Sequence, residues 1–181
     1  MSDFKRLDRK TGYSGKFLNM FIDKVRLPND HVIDLEFIDH PGAAAVVPLD
    51  SDGCIIMVRQ FRYAASGFIL EIPAGKIDSG EAPEICAARE LEEETGYKSG
   101  SLEPLGFIWT TPGFTNEKIW LYLAQDLEES SQALEENEVL TVKRIPAAQA
   151  IADAKSGLIN DGKTVTALLR AEPILKASGI I

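Results

Sequence analysis

Between Gly75 and Tyr97 the chain reads GKIDSGEAPEICAARELEEETGY, a glycine turn followed by a dense set of carboxylates around one arginine. Gly75 is followed after five residues by Glu81 and after seven more by Arg89, Glu90 and Leu91; Glu93, Glu94, Gly96 and the apolar Tyr97 complete the pattern. Carboxylates this close together suit hard divalent cations, and such cations neutralise phosphate oxygens and activate water. With each of the fixed identities occurring at roughly 7% by composition, a chance match has a probability of about 10⁻⁸ per starting position. A bare acidic run is ordinarily a solvated helix face. Solubility alone, however, does not require Gly75 and Glu81 at fixed offsets, nor an Arg89 that can neutralise and orient the acids around it.

These residues need a helix to hold them. At 3.6 residues per turn, Arg89, Glu90, Glu93 and Glu94 fall on one side, and Ala87, Ala88, Leu91 and Thr95 on the other. Pro83 suits the first helical turn and Gly96 the position just past the end. Glu90 and Glu94 are four apart, where like charges cost a few tenths of a kcal/mol. A divalent cation between them reverses the sign of that interaction.

The chain has 181 residues, 45% of them hydrophobic, which is enough for one domain with a small appendage. A formal net charge of −9 argues against nucleic acid or an anionic membrane as partner. It also makes a phosphate ligand dependent on bound cations, which dominate the field at close range. Cys54 and Cys86 lack metal or redox spacing and read as small buried residues. The polar N-terminus has no apolar signal core and no run is long enough to span a membrane, so a cytoplasmic location is expected.

In chain order, residues 16–26 and HVIDLEFID after the LPND turn read as an N-terminal hairpin or small sheet, with Phe17 and Phe21 mainly as packing residues. His31 and His40 beside turns are expected to be solvated. AAAVVPL and CIIMVRQF, separated by Asp50–Gly53, read as a buried hairpin. Arg62 at the end of the second strand is a fork-shaped donor suited to a phosphate. FILEIPAGK runs a strand into the glycine turn and brings the Ala74 carbonyl, a good ligand type for hard cations, to the start of the helix. Strands are expected at 101–109 and 117–124 around a Pro112–Gly113 turn, a mobile acidic loop at 125–138, a further strand, and two amphipathic helices.

The 75–97 pattern matches the Nudix box without a departure, and the chain resembles the Nudix hydrolases. RQFR at 59–62, LEIPAGK at 70–76, TTPGFTNEK with its proline fifteen residues beyond the box (112 − 97 = 15), and ENE at 136–138 are similar to the ADP-ribose pyrophosphatase and nucleoside diphosphate sugar branch. The resemblance implies an α+β fold: an α/β/α sandwich on a mixed sheet, with a small antiparallel N-terminal sheet over residues 1–40 exchanged between two subunits, ahead of a hydrolase domain at 41–181. It implies magnesium or manganese held by Glu90, Glu94, the Ala74 carbonyl and Glu138. Glu136 is the implied base, with Glu93 and Arg89 in the catalytic group. Arg62 would grip the diphosphate, Glu117 would touch the ribose side, and Pro112 and Phe17 would border the substrate. The implied partner is a small nucleoside diphosphate sugar, cleaved to a nucleoside monophosphate and a sugar phosphate by a homodimer. A GDP-mannose hydrolase is the nearest alternative. A triphosphate hydrolase is disfavoured by Pro112 and the N-terminal strands, and a non-catalytic binding module by the undamaged box.

Overall fold

The computed structural model describes residues 3–16 and 18–181, so Phe17 lies outside the described residues. The chain forms two compact units, one from residues up to Gly42 together with Trp109–Lys118, the other from Ala43–Ile108 and Ile119–Ile181.

In the first unit β1 (Lys5–Ser14), β2 (Asn19–Arg26) and β3 (Val32–Asp39) form an antiparallel meander in that order. Sequence patterning indicates only the last two of these strands. Every residue of β1 except Arg9 is exposed, so no buried alternation marks it as a strand. It is held instead by its backbone ladder and by Arg9, which donates from Nε and Nη2 to the two carboxylate oxygens of Asp23, each at 2.6 Å. The same guanidinium lies 4.2 Å from the Phe21 ring centre, a cation–π contact.

The second unit contains β4 (Ala43–Pro48), β5 (Cys54–Arg62), β6 (Gly67–Glu71), β7 (Ala74–Lys76), α1 (Pro83–Thr95), most of β8 (Tyr97–Trp109) and β9 (Lys118–Glu129), β10 (Leu140–Pro146), α2 (Ala147–Ser156) and α3 (Gly162–Ala177). One sheet has the order β7-β4-β9-β8 and is mixed, because β4 runs parallel to β9 and antiparallel to β7. The side chains of β4 and β9 alternate between two cores. Ala44, Val46, Tyr122 and Ala124 pack with Cys86, Ala87 and Leu91 of α1, while Ala45, Val47, Leu121 and Leu123 pack with Ala150, Leu168 and Leu175 of α2 and α3. Burial on both faces explains the unbroken apolar run AAAVV. The result is an α/β/α sandwich.

Two readings of the sequence need correcting here. The expected hairpin of residues 43–61 is not one, because β4 and β5 belong to different sheets, with an isolated Leu49–Ile55 bridge at the turn between them; β5 instead lies between β10 and β6. The expected loop at 125–138 begins later, because β9 continues to Glu129 through acidic residues on its exposed end.

Candidate active site

The strand before α1 is broken at Ile72–Pro73, so β6 and β7 end up in different sheets and the chain turns sharply into the box. Ala74 pairs with Ala45, and Val46 donates its N–H to the Pro73 carbonyl at 3.0 Å. By the alternation of an antiparallel ladder, the N–H and C=O of Ala74 therefore both turn away from β4. Its N–H donates to Glu94 Oε2 at 3.1 Å, so the Ala74 backbone and the Glu94 carboxylate share one side of β7.

Helix α1 begins at Pro83 without a side-chain cap and ends at Gly96, whose φ of 75° is the left-handed conformation that glycine favours. The charged side of α1 is drawn into the interior at Glu90 and Glu94. Glu90 and Glu94 are 8% and 1% exposed, as buried as the apolar face, whereas Ile85 is largely exposed. Close approach to β7 is the reason: a Cβ on Gly75 would lie 1.9 Å from Glu90 Oε1, so only glycine leaves room for that carboxylate.

Arg89 organises the acids around it. Its Nε and Nη2 donate to the two oxygens of Glu81 (2.9 and 3.0 Å), Nη1 donates to Glu90 Oε1 (2.7 Å) and Glu93 Oε2 (3.0 Å), and Nη2 also reaches the Lys76 carbonyl (3.2 Å). All five guanidinium donors are thus in use. The bond from Arg89 holds the Glu81 carboxyl down at about 2, with the Asp78 N–H assisting. Burial pushes the Glu94 carboxyl up to about 8, and the charge of Glu90 adds to that. Burial also raises Glu90, against the opposing pull of Arg89. The Cys86 thiol, pushed up to about 12 chiefly by burial, is inert packing.

Glu138 is half-buried, and its charge raises both Glu90 and Glu94; its Oε2 accepts the Glu135 N–H at 2.9 Å. Glu136 is exposed in the same loop. Arg62 is held through Nε and Nη2 by Glu71 (2.8 and 3.0 Å), and Nη1 makes neither of these bonds. Glu71 is 1% exposed and also binds Lys163 of α3. Sequence reasoning missed this ion cluster, and its one signal was a lone acid inside the apolar run FILEIP. The second unit thus gathers Arg62, Ala74, Arg89, Glu90, Glu93, Glu94 and Glu138.

Glu117 and Pro112 belong to the first unit. Glu117 accepts from Thr110 Oγ1 at 2.8 Å, and His40 Nε2 lies 3.5 Å from its other oxygen. His40 Nδ1 accepts the Gly42 N–H at 3.0 Å, so His40 is a fixed polar group and not the solvated side chain expected from its turn position. Pro112 borders a cavity of about 460 Å³ lined also by Phe37, Trp109, Phe114 and Asn116.

Among the described residues no three His, Cys, Asp or Glu side chains form a ready metal cage. The residues nevertheless fit a divalent cation: two buried, mutually repelling carboxylates, a backbone carbonyl turned to the same side as the amide that binds one of them, and a guanidinium whose donors are already committed.

Residues 39–169 match the NUDIX domain, and the chain belongs to the Nudix family. It is 39% identical over 166 residues to the ADP-ribose pyrophosphatase of Bacillus subtilis (strain 168), covering 91% of this chain and 90% of that protein. It is 40% identical over 158 residues to the methanol dehydrogenase activator of Bacillus methanolicus, covering 86% and 85% respectively. The fold matches a crystal structure of an ADP compounds hydrolase with a TM-score of 0.86 over the whole chain and 98% of that structure, at 24% identity.

Proposed function

We propose that this Nudix pyrophosphohydrolase cleaves the diphosphate linkage of ADP-ribose or a closely related nucleoside diphosphate sugar, releasing a nucleoside monophosphate and a sugar phosphate. The observation that carries the reading is the buried Glu90–Glu94 pair, held against Gly75 and Ala74 in an undamaged box. The substrate class is supported by similarity to an ADP-ribose pyrophosphatase over nearly the whole of both chains.

Glu90, Glu94 and the Ala74 carbonyl would hold magnesium or manganese, with Glu138 joining from the loop. Bound there, the cation supplies charge neutralisation at the diphosphate and acidifies water. Arg89 fixes Glu90 and Glu93 so that the carboxylates do not splay under their own repulsion. Arg62, braced by Glu71, presents its free edge to a phosphate oxygen. Glu136 takes the proton of the attacking water when the loop closes over substrate, with Glu135 and Glu138 the competing assignments because a one-residue shift in this loop exchanges their roles. Glu117 is proposed to touch the ribose side of the substrate, and Pro112 to border it.

The N-terminal sheet is proposed to pair with that of a second copy. Leu7, Val32, Ile33 and Leu35 are exposed across its two faces, apolar area suited to burial in a homodimer. Among the described residues no helix is long and apolar enough to cross a membrane. A cytoplasmic location is proposed. The test is a panel of nucleoside diphosphate sugars and nucleoside triphosphates with magnesium, followed by chromatography of the products. ADP-ribose giving AMP at the highest kcat/KM is the expected result. Preference for GDP-mannose would shift the base assignment, and preference for a triphosphate would overturn the substrate class.

A further inference from the structure

Among the described residues, the buried side-chain oxygen left without a hydrogen-bond partner is Oε1 of Gln60, a residue only 6% exposed. A buried amide normally finds a partner, and one without a donor loses its water without compensation in the free protein. Its position indicates what it awaits. Successive side chains of a strand alternate between faces, so Gln60 shares the face of β5 that carries Val58 and Arg62. Glu71 stands opposite Val58 and binds Arg62, which identifies this as the face of the candidate site. The cross-strand neighbours of Gln60 are Ile69 and Leu140, neither of which has a polar side chain to offer. Phe61 donates its N–H to the Val139 carbonyl at 2.9 Å, extending the β5–β10 register by one residue toward Arg62. Gln60 therefore lies one side-chain step, about 7 Å along the strand, from the proposed diphosphate-binding arginine.

An unpaired carbonyl oxygen accepts hydrogen bonds. It has nothing to offer a phosphate oxygen, which is itself an acceptor, but it is complementary to a hydroxyl. We infer that Gln60 is a specificity-determining residue whose side-chain carbonyl accepts a hydrogen bond from a hydroxyl of a sugar flanking the substrate's diphosphate, an assignment that rests on the function proposed above. The site is then built to reject a diphosphate ester without that hydroxyl, because the buried oxygen stays unpaired in its complex.

The test compares wild type with Gln60→Met, a variant of similar length without the acceptor. The substrates are ADP-ribose, its counterpart with a 2′,3′-dideoxyadenosine, and an ADP ester of a simple alkyl alcohol. Melting temperature without ligand and the magnesium concentration for half-maximal activity are measured alongside. The expected result is a melting temperature equal to or above wild type, an unchanged magnesium requirement, and a loss in kcat/KM on ADP-ribose of about 10- to 100-fold. That loss should vanish on whichever analogue lacks the recognised hydroxyl, which tells the terminal sugar from the nucleoside ribose. Equal losses on all three substrates, no loss on any, or a raised magnesium requirement would each overturn the inference while leaving the proposed reaction standing. Wild-type inactivity on every one of these esters would overturn the proposed reaction and this inference with it.

Discussion

Gly75 and Glu90 fit together with no space to spare: a single added carbon on Gly75 would lie 1.9 Å from the Glu90 carboxylate oxygen. The box glycine is thus tied to the box glutamate by direct exclusion, across fifteen residues of sequence (90 − 75 = 15). The Gly75→Ala variant should fold but lose about 1 to 3 kcal/mol of stability through overpacking. Its activity should fall at least tenfold, because Glu90 must swing away from β7. Circular dichroism melts and steady-state kinetics check both, and a variant with wild-type kcat would show that Glu90 need not lie where it does.

Arg89 has no donor to spare for a ligand, so its replacement should affect kcat and leave KM nearly alone. Arg89→Lys keeps the charge but cannot reproduce the bidentate grip on Glu81 while also reaching Glu90 and Glu93. A fall in kcat of about 10- to 100-fold with KM within twofold is expected for a group that positions others. A large rise in KM alone would mean that Arg89 binds substrate directly.

The elevated Glu94 carboxyl makes the metal-free protein sensitive to pH. Folded, Glu94 titrates at about 8; unfolded, a glutamate titrates at about 4.3. Between those values the native state keeps a proton that the unfolded state has lost, so stability falls as pH rises through this window. Below it the group is neutral in both states and costs nothing. Urea unfolding in chelator should show Glu94→Gln gaining about 1 to 3 kcal/mol over wild type at pH 8, discounted from the full shift, and little at pH 4. Parallel pH profiles for the two proteins would contradict this.

The helix carboxylates were legible in the sequence because a fixed pattern on one helix translates directly into geometry, and both ends of α1 were marked by Pro83 and Gly96. What escaped was set by contacts distant in sequence. Lys163 reaches Glu71 across 92 residues, and the partners of Gln60 depend on strands that no local pattern orders. The exposed strand β1 buries no face, so periodicity had nothing to report. The apolar runs 43–49 and 54–61 were correctly read as strands, but apolarity does not say which sheet a strand joins. The opposite error arose at 125–129, where exposed acidic residues continue β9 and imitate a loop.

The loop carboxylates separate by exposure: Glu138 is half-buried and its charge acts on Glu90 and Glu94, while Glu136 is exposed in the free protein. Glu138→Gln should raise the magnesium requirement and lower turnover together. Glu136→Gln should leave the magnesium requirement unchanged and lower kcat by about 10²- to 10⁴-fold, the usual worth of a positioned base. A wild-type kcat in Glu136→Gln would move the base to Glu138 or Glu135.

The claim that the buried Glu90–Glu94 pair seats the divalent cation used for hydrolysis is tested most directly by AMP release from saturating ADP-ribose as free magnesium is raised from zero, for wild type and Glu94→Gln. Wild type should be inactive after chelation and recover fully with magnesium, while Glu94→Gln should need at least about tenfold more magnesium and reach a lower plateau. Turnover that survives exhaustive chelation, or identical magnesium curves for the two proteins, would contradict it.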